Sequence, residues 1–406
     1  MAVNTFESLE KKYSLFQHPV VVALVNDKNI SGKNGFTVSD LVIDLTSGFE
    51  ASTAELSLYG VYDIDKGQFQ FDRVKKYILL GSRLDLYLGY GDQARQVFTG
   101  AITRVNFLYE KSGAPCIRLT AMDVKGVMMS GCYSKQLKAD NFSDAVTEIL
   151  NRTAYEKLKS TQIIKGVYVT ETPDKLRKAM SGGVMTVSSQ SVEMVAESDY
   201  EFVVKAAKKN NYEFFTECGN VYFRKAKADQ SVLISIGPDT GLRSFDISYD
   251  VTGLTEKVTV RSMDVAKGQV ISAQKKFSAK ISQGSAAMAM LKGSEKVYID
   301  PSVTSKEEAE ERAASLMEQI SYRYGSLRCE MIGIPELLPG HFVEVSGLGT
   351  GVDNTFYLSR VRHIMTEDGD YTVQMEGQAA SAGGSGALGA AGALGGAAGG
   401  LAGGLF

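Results

Sequence analysis

The sequence predicts an α+β protein that is mainly β, in which a small α/β region is inserted between two β regions. Short apolar or alternating runs, separated by turn residues, fill the first 125 residues. The pattern becomes helical after Gly131 and returns to strands from Ser244. Short strands joined by short links are typical of a sandwich or a barrel.

The chain is long enough for several domains, because its 406 residues are 44% hydrophobic and can fill separate cores. We expect the domains to divide where the pattern changes. The predicted parts are a first β domain at 1–130, an inserted α+β domain at 131–240, a second β domain at 241–378 with a helical insertion at about 300–322, and a Gly/Ala-rich tail at 379–406.

The first β domain is predicted to contain six strands with short connections. Leu84, Leu86 and Leu88 alternate with polar or aromatic residues, which indicates a half-buried antiparallel strand. A turn at Gly89–Asp92 follows this strand. The six predicted strands are Val20–Val25, Leu41–Leu45, Ala54–Tyr59, Arg83–Leu88, Val97–Tyr109 and Cys116–Met122.

The inserted domain is predicted to hold two helices and a hairpin. Apolar residues recur at helical spacing from Phe142, which predicts the first helix. Ser198 and Glu201 have the spacing of a capping box, so the second helix is expected to begin there. Asn210–Asn211 is typical of a helix end, and the hairpin follows at Tyr212–Arg224.

The second β domain combines strands with a helical insertion. Thr304 and Glu307 again have capping-box spacing, which predicts a helix that begins at this point. The polar stretch Gln269–Lys292 is compatible with a helix. The predicted strands are Phe245–Tyr249, Lys257–Arg261, Leu327–Ile332, Phe342–Val345, Thr355–Ile364 and Tyr371–Met375.

The two β regions resemble each other in three stretches that occur in the same order, which indicates a duplicated domain. If three such chains assemble about one axis, six similar domains form a ring that can contact a hexamer on one side and a trimer on the other. The matches are Asp44–Glu50 with Glu55–Leu58 against Asp250–Glu256 with Val258–Arg261, Gly81–Leu86 against Gly340–Val345, and Ile102–Val105 against Leu358–Val361.

Charge and residue usage argue against several classes of function. A net charge of −3 and a pI near 5.8 provide no basic field for nucleic-acid binding. The four cysteines lack zinc-binding spacing and are interpreted as core thiols, and the three histidines lie in no catalytic signature. We therefore predict no enzyme activity and no catalytic, cofactor-binding or metal-binding residue. The start of the chain lacks a signal-peptide pattern, so a cytoplasmic origin is expected.

Several stretches resemble a family of baseplate hub proteins. These are ESDYEF at Glu197–Phe202, YEFF at Tyr212–Phe215, GNVYFR at Gly219–Arg224, VTVRSMD at Val258–Asp264, PGHFV at Pro339–Val343, YLSRVRH at Tyr357–His363 and GDYT at Gly369–Thr372. The family comprises the late control gene D proteins of contractile-tailed phages and the N-terminal hub region of VgrG spikes. The resemblance covers about residues 15 to 378.

The resemblance implies two tube-like antiparallel β-barrel domains in each chain. It also implies a homotrimeric hub that joins the hexameric inner tube to the trimeric spike of a contractile injection system. The expected partners are the inner tube protein, the spike protein and other baseplate proteins, while DNA or cargo passes through the lumen without specific binding. Such a hub is assembled in the bacterial cytoplasm and becomes part of a phage tail, a tailocin or an extracellular injection system.

The chain departs from VgrG after Gly377, where VgrG proteins continue into an OB-fold and a needle. A separate protein is therefore expected to form the spike tip. Two alternative functions are a tail-tip hub of a non-contractile phage tail and a β protein that binds or degrades cell-wall carbohydrate. The lack of tryptophan and of an evident acid pair argues against a glycosidase.

The tail from Ala379 contains only Gly, Ala, Ser, Leu and one Phe. This composition favours a flexible segment, because glycine loses much conformational entropy on ordering. A second interpretation is that its apolar residues anchor it to a partner, and a third is a membrane role, for which so many glycines are poorly suited. No stable membrane insertion is expected. The candidate partner-binding residues are Leu388, Leu394, Leu401, Leu405 and Phe406.

Overall fold

Strands dominate the computed structural model, which describes residues 4–383 apart from 33–34, 112, 140, 174–191, 265–266, 280, 282–284 and 350. Most of these strands belong to one sheet of 13 strands, and the rest form four small sheets. The predicted α+β, mainly β fold class is confirmed.

The described residues among the first 130 form all six predicted strands, together with shorter strands and three helices. A 3-10 turn at Ser14–Phe16 follows the first helix. The elements are α1 Phe6–Lys12, β1 Pro19–Val25, β2 Lys28–Asn29, β3 Thr37–Thr46, β4 Thr53–Tyr59, β5 Tyr62–Asp63, β6 Gln68–Phe69, α2 Phe71–Val74, β7 Arg83–Tyr90, β8 Gln93–Leu108, β9 Cys116–Met122 and α3 Val124–Met128.

The inserted region contains the predicted helices and hairpin. Ser198 and Glu201 form the expected capping box, and Asn211 ends the same helix in the left-handed conformation. Cys218 and Gly219 both have positive φ, as the hairpin turn requires. The elements are β10 Tyr133–Leu137, α4 Phe142–Leu150, a 3-10 turn Thr153–Tyr155, α5 Glu156–Ser160, β11 Gly166–Val169, β12 Val192–Glu197, α6 Asp199–Asn210, β13 Tyr212–Glu217 and β14 Asn220–Lys225.

The second β region departs from the prediction at two places. A strand, β18, occupies part of the stretch that was predicted to be compatible with a helix. Ser305 caps α8 by accepting from the Glu308 backbone N–H, so the cap lies one residue after the predicted Thr304. Adjacent glutamates at 307 and 308 make both spacings available. The elements are β15 Val232–Ile236, β16 Leu242–Tyr249, β17 Lys257–Asp264, β18 Gln269–Lys276, α7 Ser285–Leu291, β19 Glu295–Ile299, α8 Lys306–Ser321, β20 Gly325–Ile332, β21 Phe342–Val345, β22 Asn354–Met365 and β23 Tyr371–Ala379.

The large sheet runs through both β regions in the order β16-β20-β23-β22-β3-β4-β9-β8-β7-β1-β2, and β21 joins β15 to β22. Among the described residues, no strand pairing closes this sheet into a barrel. β17 was expected in the second β domain's sheet, but it pairs with β18 and β19 in a separate small sheet. The chain between β16 and β20 is therefore an insertion that combines this sheet with α8.

Three main hydrophobic cores are present in the described part of the chain. The largest is shared by the two β regions and includes Leu119 from one and Val361 from the other. A second core lies around Phe202 and joins the inserted region to α3, and a third lies between α8 and the small sheet around Val260. Ala382 packs into the third core, so ordered packing extends past the last strand. The exact domain boundaries stay a prediction.

β7 is buried on both faces, although its alternation predicted a half-buried strand. Asp85 accepts hydrogen bonds from Thr99 Oγ1 at 2.7 Å and Gln96 Nε2 at 2.8 Å. Arg83 Nη1 donates to the Thr161 carbonyl at 2.9 Å. The inserted region therefore covers the polar face of β7, which a local pattern does not reveal.

The capping box of α6 is expected to contribute measurably to stability. Replacement Ser198→Ala removes the oxygen that accepts from the Glu201 N–H at 3.2 Å. We expect a loss of about 1 kcal/mol in the free energy of unfolding, measured by urea titration. Ser272→Ala, at an exposed strand position, is the control and should change little. Equal effects of the two substitutions would contradict the role of the cap.

Candidate functional site

Two sets of five strands in the large sheet have the same order and directions. β3-β4-β9-β8-β7, the first unit, and β16-β20-β23-β22-β21, the second unit, are antiparallel throughout. The equivalence ends there, because β1 pairs antiparallel with β7 whereas β15 pairs parallel with β21. The predicted duplication is present as two equivalent five-strand units.

The units also agree residue by residue across four strands. In the first unit, residues that lie directly opposite each other on neighbouring strands form the row Ile102, Ala121, Ala54 and Ile43. In the second unit, the corresponding row is Leu358, Gly377, Leu327 and Ile247. β4 is therefore equivalent to β20, and the predicted match of Glu55–Leu58 with Val258–Arg261 is wrong. Short alternating strands resemble one another too closely for sequence alone to distinguish β17 from β20.

The same turn precedes β7 in the first unit and β21 in the second unit. Gly81 and Gly340 have φ values of 81° and 88°, which glycine adopts at little cost. The Gly81 N–H donates to the Ile102 carbonyl at 2.8 Å, and the Gly340 N–H donates to the Leu358 carbonyl at 2.9 Å. The matches of these two stretches are therefore confirmed.

A β-bulge occurs at the same position in both units. The register shifts between Ile102 and Arg104 where β8 pairs with β9, and between Leu358 and Arg360 where β22 pairs with β23. Each bulge adds one residue to the longer strand, which bends it and increases its twist. The parts of β8 and β22 that follow the bulge are therefore bent in the same way relative to the other strands of their units.

The two units are joined edge to edge by antiparallel pairing of β3 with β22, which we term the junction. Residues 41–46 of β3 face residues 360–365 of β22. Leu41, Ile43 and Leu45 are buried on the core face of β3. On the other face, Arg360 Nε and Nη2 each donate to Asp44 at 2.7 Å. The junction therefore combines an apolar face with a bidentate ion pair.

His363 lies fully buried at the centre of the junction, opposite Ile43. Its Nε2 is 3.0 Å from the Leu337 carbonyl, which can only accept, so Nε2 carries the proton. Its Nδ1 then accepts from the Tyr371 hydroxyl at 2.8 Å. Burial lowers the pKa of His363 to about 4, so the imidazole is neutral at neutral pH.

A buried lysine attaches the inserted region to the first unit. Lys125 Nζ donates to the carbonyls of Gly48 at 3.2 Å, of Glu50, and of Phe214 at 3.5 Å. Asp123 lies beside it at 3.8 Å. Burial lowers the pKa of Lys125, while the carboxylates of Asp123 and Glu50 act in the opposite direction. Phe214 belongs to the inserted hairpin, so this contact fixes the hairpin against the loop after β3.

A second polar cluster attaches the inserted region to the second unit. Glu213 accepts hydrogen bonds from Arg224 Nε at 2.6 Å and from the Tyr357 hydroxyl. Arg224 Nη2 also donates to the Gly340 carbonyl at 2.9 Å. Burial raises the pKa of Tyr357 well above its usual value, so the phenol stays a donor. The inserted region is thus fixed to both units.

These contacts hold the strands and the inserted region in a fixed arrangement. Within the described part of the chain, no group of three or more His, Cys, Asp or Glu is placed to hold a metal ion. None of the described helices is both long and apolar enough to cross a bilayer. Cys116 and Cys329 are core thiols as expected, whereas Cys132 is exposed.

The predicted partner-binding residues of the tail, from Leu388 to Phe406, lie outside the described residues. Sequence reasoning missed the junction contacts of Asp44, Arg360 and His363, because each needs a partner more than 300 residues away or a buried setting. The only signal for Arg360 is its match with Arg104 in the repeat.

Comparison with protein families and solved structures gives one family and one fold. The family described as the Alg8 N-terminal domain matches residues 43–367. No curated protein sequence matches the chain. A tail protein from Neisseria meningitidis MC58 is 14% identical, with 89% of this chain and 96% of that chain covered and a TM-score of 0.61.

Two further solved structures have the same fold. The prophage MuSo2 43 kDa tail protein from Shewanella oneidensis is 14% identical over 88% of this chain and 98% of its own, with a TM-score of 0.59. The E. coli c3393 protein, a component of the type VI secretion system, is 10% identical over 84% of this chain and 73% of its own, with a TM-score of 0.53. At these identities, the similarity establishes the fold.

The buried imidazole predicts a pH dependence of stability. The pKa of His363 is about 4 in the folded chain and 6.5 in its ordinary state, so the unfolded chain binds the proton first as the pH falls. Stability is expected to drop between pH 6.5 and 4, by up to about 3 kcal/mol from this group. Urea unfolding at several pH values measures the drop.

The replacement His363→Phe should remove this component of the pH dependence. Phenylalanine is chosen because Phe107 occupies the equivalent position in the first unit. His18→Asn, at an exposed histidine with positive φ, is the matched control and should retain it. An unchanged pH profile in His363→Phe would show that the imidazole is not the titrating group.

Proposed function

We propose that this chain, which belongs to the family described as the Alg8 N-terminal domain, is the structural baseplate hub of a contractile tail or injection system, because it has the fold of phage tail proteins. A relation to the late control gene D proteins and to the hub region of VgrG is part of this proposal. The hub transmits force and matches symmetries, and we assign it no catalytic step.

The pair of equivalent units is the observation that carries this proposal. A homotrimer of chains with two units each presents six similar units around one axis, while the chain itself repeats three times. Such a ring contacts a hexameric inner tube through its six units and a trimeric spike through its threefold parts. The insertions, which differ between the units, distinguish neighbouring positions in the ring.

The proposed partners follow from this arrangement. They are the inner tube protein, the spike protein and other baseplate proteins of the same particle. The net charge of −3 is compatible with a lumen through which DNA or cargo passes without specific binding. We place assembly in the bacterial cytoplasm and the finished hub in a phage tail or a phage-tail-like particle.

The Gly/Ala-rich tail is proposed to bind the spike. Small residues allow three tails to approach closely about one axis, and a few large apolar side chains supply the buried area. The binding residues are Leu388, Leu394, Leu401, Leu405 and Phe406.

The hub proposal predicts a trimer. Native mass spectrometry of the purified chain should give three times the chain mass of 43.9 kDa, and a complex with the spike protein should contain three copies of the chain. The trimer is expected because each chain supplies two units, so three chains are needed to supply the six units that match a hexameric tube. A stable dimer or tetramer would contradict the symmetry match.

The tail proposal predicts a loss of spike binding without a loss of assembly. Replacing the five large apolar tail residues by serine should abolish co-purification with the spike protein and leave the hub oligomer unchanged. A variant with five tail alanines replaced by serine keeps the anchors and is the control. Unchanged recovery of the spike with the first variant would exclude the tail as the anchor.

A further inference from the structure

In each unit, one of the two strands that could form a second junction has an edge without a partner strand in the described part of the chain. At the existing junction, the part of β22 beyond its bulge pairs with β3. The equivalent strands are β8 for β22 and β16 for β3. In the part of the chain that the structure describes, β8 pairs only with β9 beyond its bulge, and β16 pairs only with β20. Each chain thus has one filled junction and one complementary pair of open strand edges.

We propose that β16 of one copy pairs antiparallel with residues 104–109 of a second copy and so repeats the junction between chains. This inference rests on the proposed hub function, for which it identifies the subunit contact. The register follows from the two rows of directly opposite residues described above. On the core face, the expected pairs are Val105 with Tyr249, Phe107 with Ile247 and Tyr109 with Phe245.

The open edges expose side chains whose equivalents are buried at the junction. Phe107, Tyr109 and Phe245 are 42%, 61% and 46% exposed. His363 and Leu41, which are the equivalents of Phe107 and Phe245, are 0% and 1% exposed. Unpaired edges that carry large apolar side chains favour the addition of another strand. A second copy supplies that strand with the same pattern that the chain already uses internally.

An aromatic surface lies beside the open edge of β8. The Phe107 ring centroid is 5.2 Å from that of Phe69, and the Tyr109 centroid is 5.6 Å from that of Tyr62. Phe71 is 57% exposed and also contacts Phe107. A strand added at this edge covers part of this surface, so the gain includes aromatic burial as well as backbone hydrogen bonds.

The opposite face fits the same register. Arg104 is placed opposite Asp250, with Asp246 farther along the same strand, and Asn106 is placed opposite Ser248. At the existing junction, the equivalent of Arg104 is Arg360, which also pairs with an aspartate across the strands. A shift of one residue would direct the aromatic side chains to the charged face, so the alternation specifies this register.

The two open edges differ from each other, so the contact is heterologous. Each copy uses its β8 edge toward one neighbour and its β16 edge toward the other. Such a contact continues until a ring closes. The ring then contains alternating first and second units, joined within and between chains by the same strand pairing.

A disulfide between Asn106→Cys and Ser248→Cys tests the register. The two positions are directly opposite in the proposed pairing, where Cβ atoms are about 4.5–5.5 Å apart. The variant is made in the full chain with Cys132→Ser, which removes the exposed native thiol. Oxidation should convert the chain into covalent multimers on a non-reducing gel, up to the closed ring.

Two further variants control the chemistry. Arg362→Cys with Asp44→Cys, at the equivalent positions of the existing junction, should form a disulfide within one chain. Asn106→Cys with Ser244→Cys is displaced along the same strand by four residues, about 13 Å, and should not form one.

The outcomes separate this inference from the hub proposal. If native mass spectrometry gives a trimer while only the control at the existing junction is cross-linked, the proposed edge contact is wrong and the hub proposal stands. If the displaced pair cross-links as well as the designed pair, the register is wrong. If the chain stays monomeric, both the edge contact and the trimeric hub are overturned.

Discussion

Pairing of β3 with β22 determines how the rest of the molecule is arranged, because it places residues more than 300 positions apart in the sequence on adjacent strands. An unpaired edge here would expose backbone donors and acceptors together with a row of apolar side chains. The pairing satisfies the backbone donors and acceptors and buries the apolar side chains. On the outer face, the bidentate contact of Arg360 with Asp44 joins the two strands. A single core then extends through both units.

The inserted region depends on this arrangement, since it is fixed to both units. Lys125 binds carbonyls of the first unit and of the inserted hairpin, and Glu213 accepts from Tyr357 of the second unit. Buried charged groups of this kind are costly unless every donor and acceptor is matched, so they tolerate little movement between the parts. The inserted region therefore restricts movement of the two units relative to each other at the junction.

Duplication explains why the two halves of the chain share a framework although their sequences differ. The turns at Gly81 and Gly340, and the bulges that follow in β8 and β22, are positions where backbone geometry is demanding. Elsewhere, side chains are free to change as long as the alternation between core face and outer face is kept. His363 in place of Phe107 illustrates this freedom, since one is hydrogen-bonded in a closed junction and the other lies at an open edge.

Local pattern determined most of the longer strands of both β regions, the capping box at Ser198 and the hairpin after α6, because each depends on residues only a few positions apart. The repeat was also detectable where backbone geometry restricts the sequence, as at Gly81 and Gly340. Only the tertiary structure decided that β17 leaves the large sheet, that the polar face of β7 is covered, and that Asp44, Arg360 and His363 meet at one junction. These features depend on which distant strands become neighbours, and the alternation of a strand records which face is buried without recording its partner.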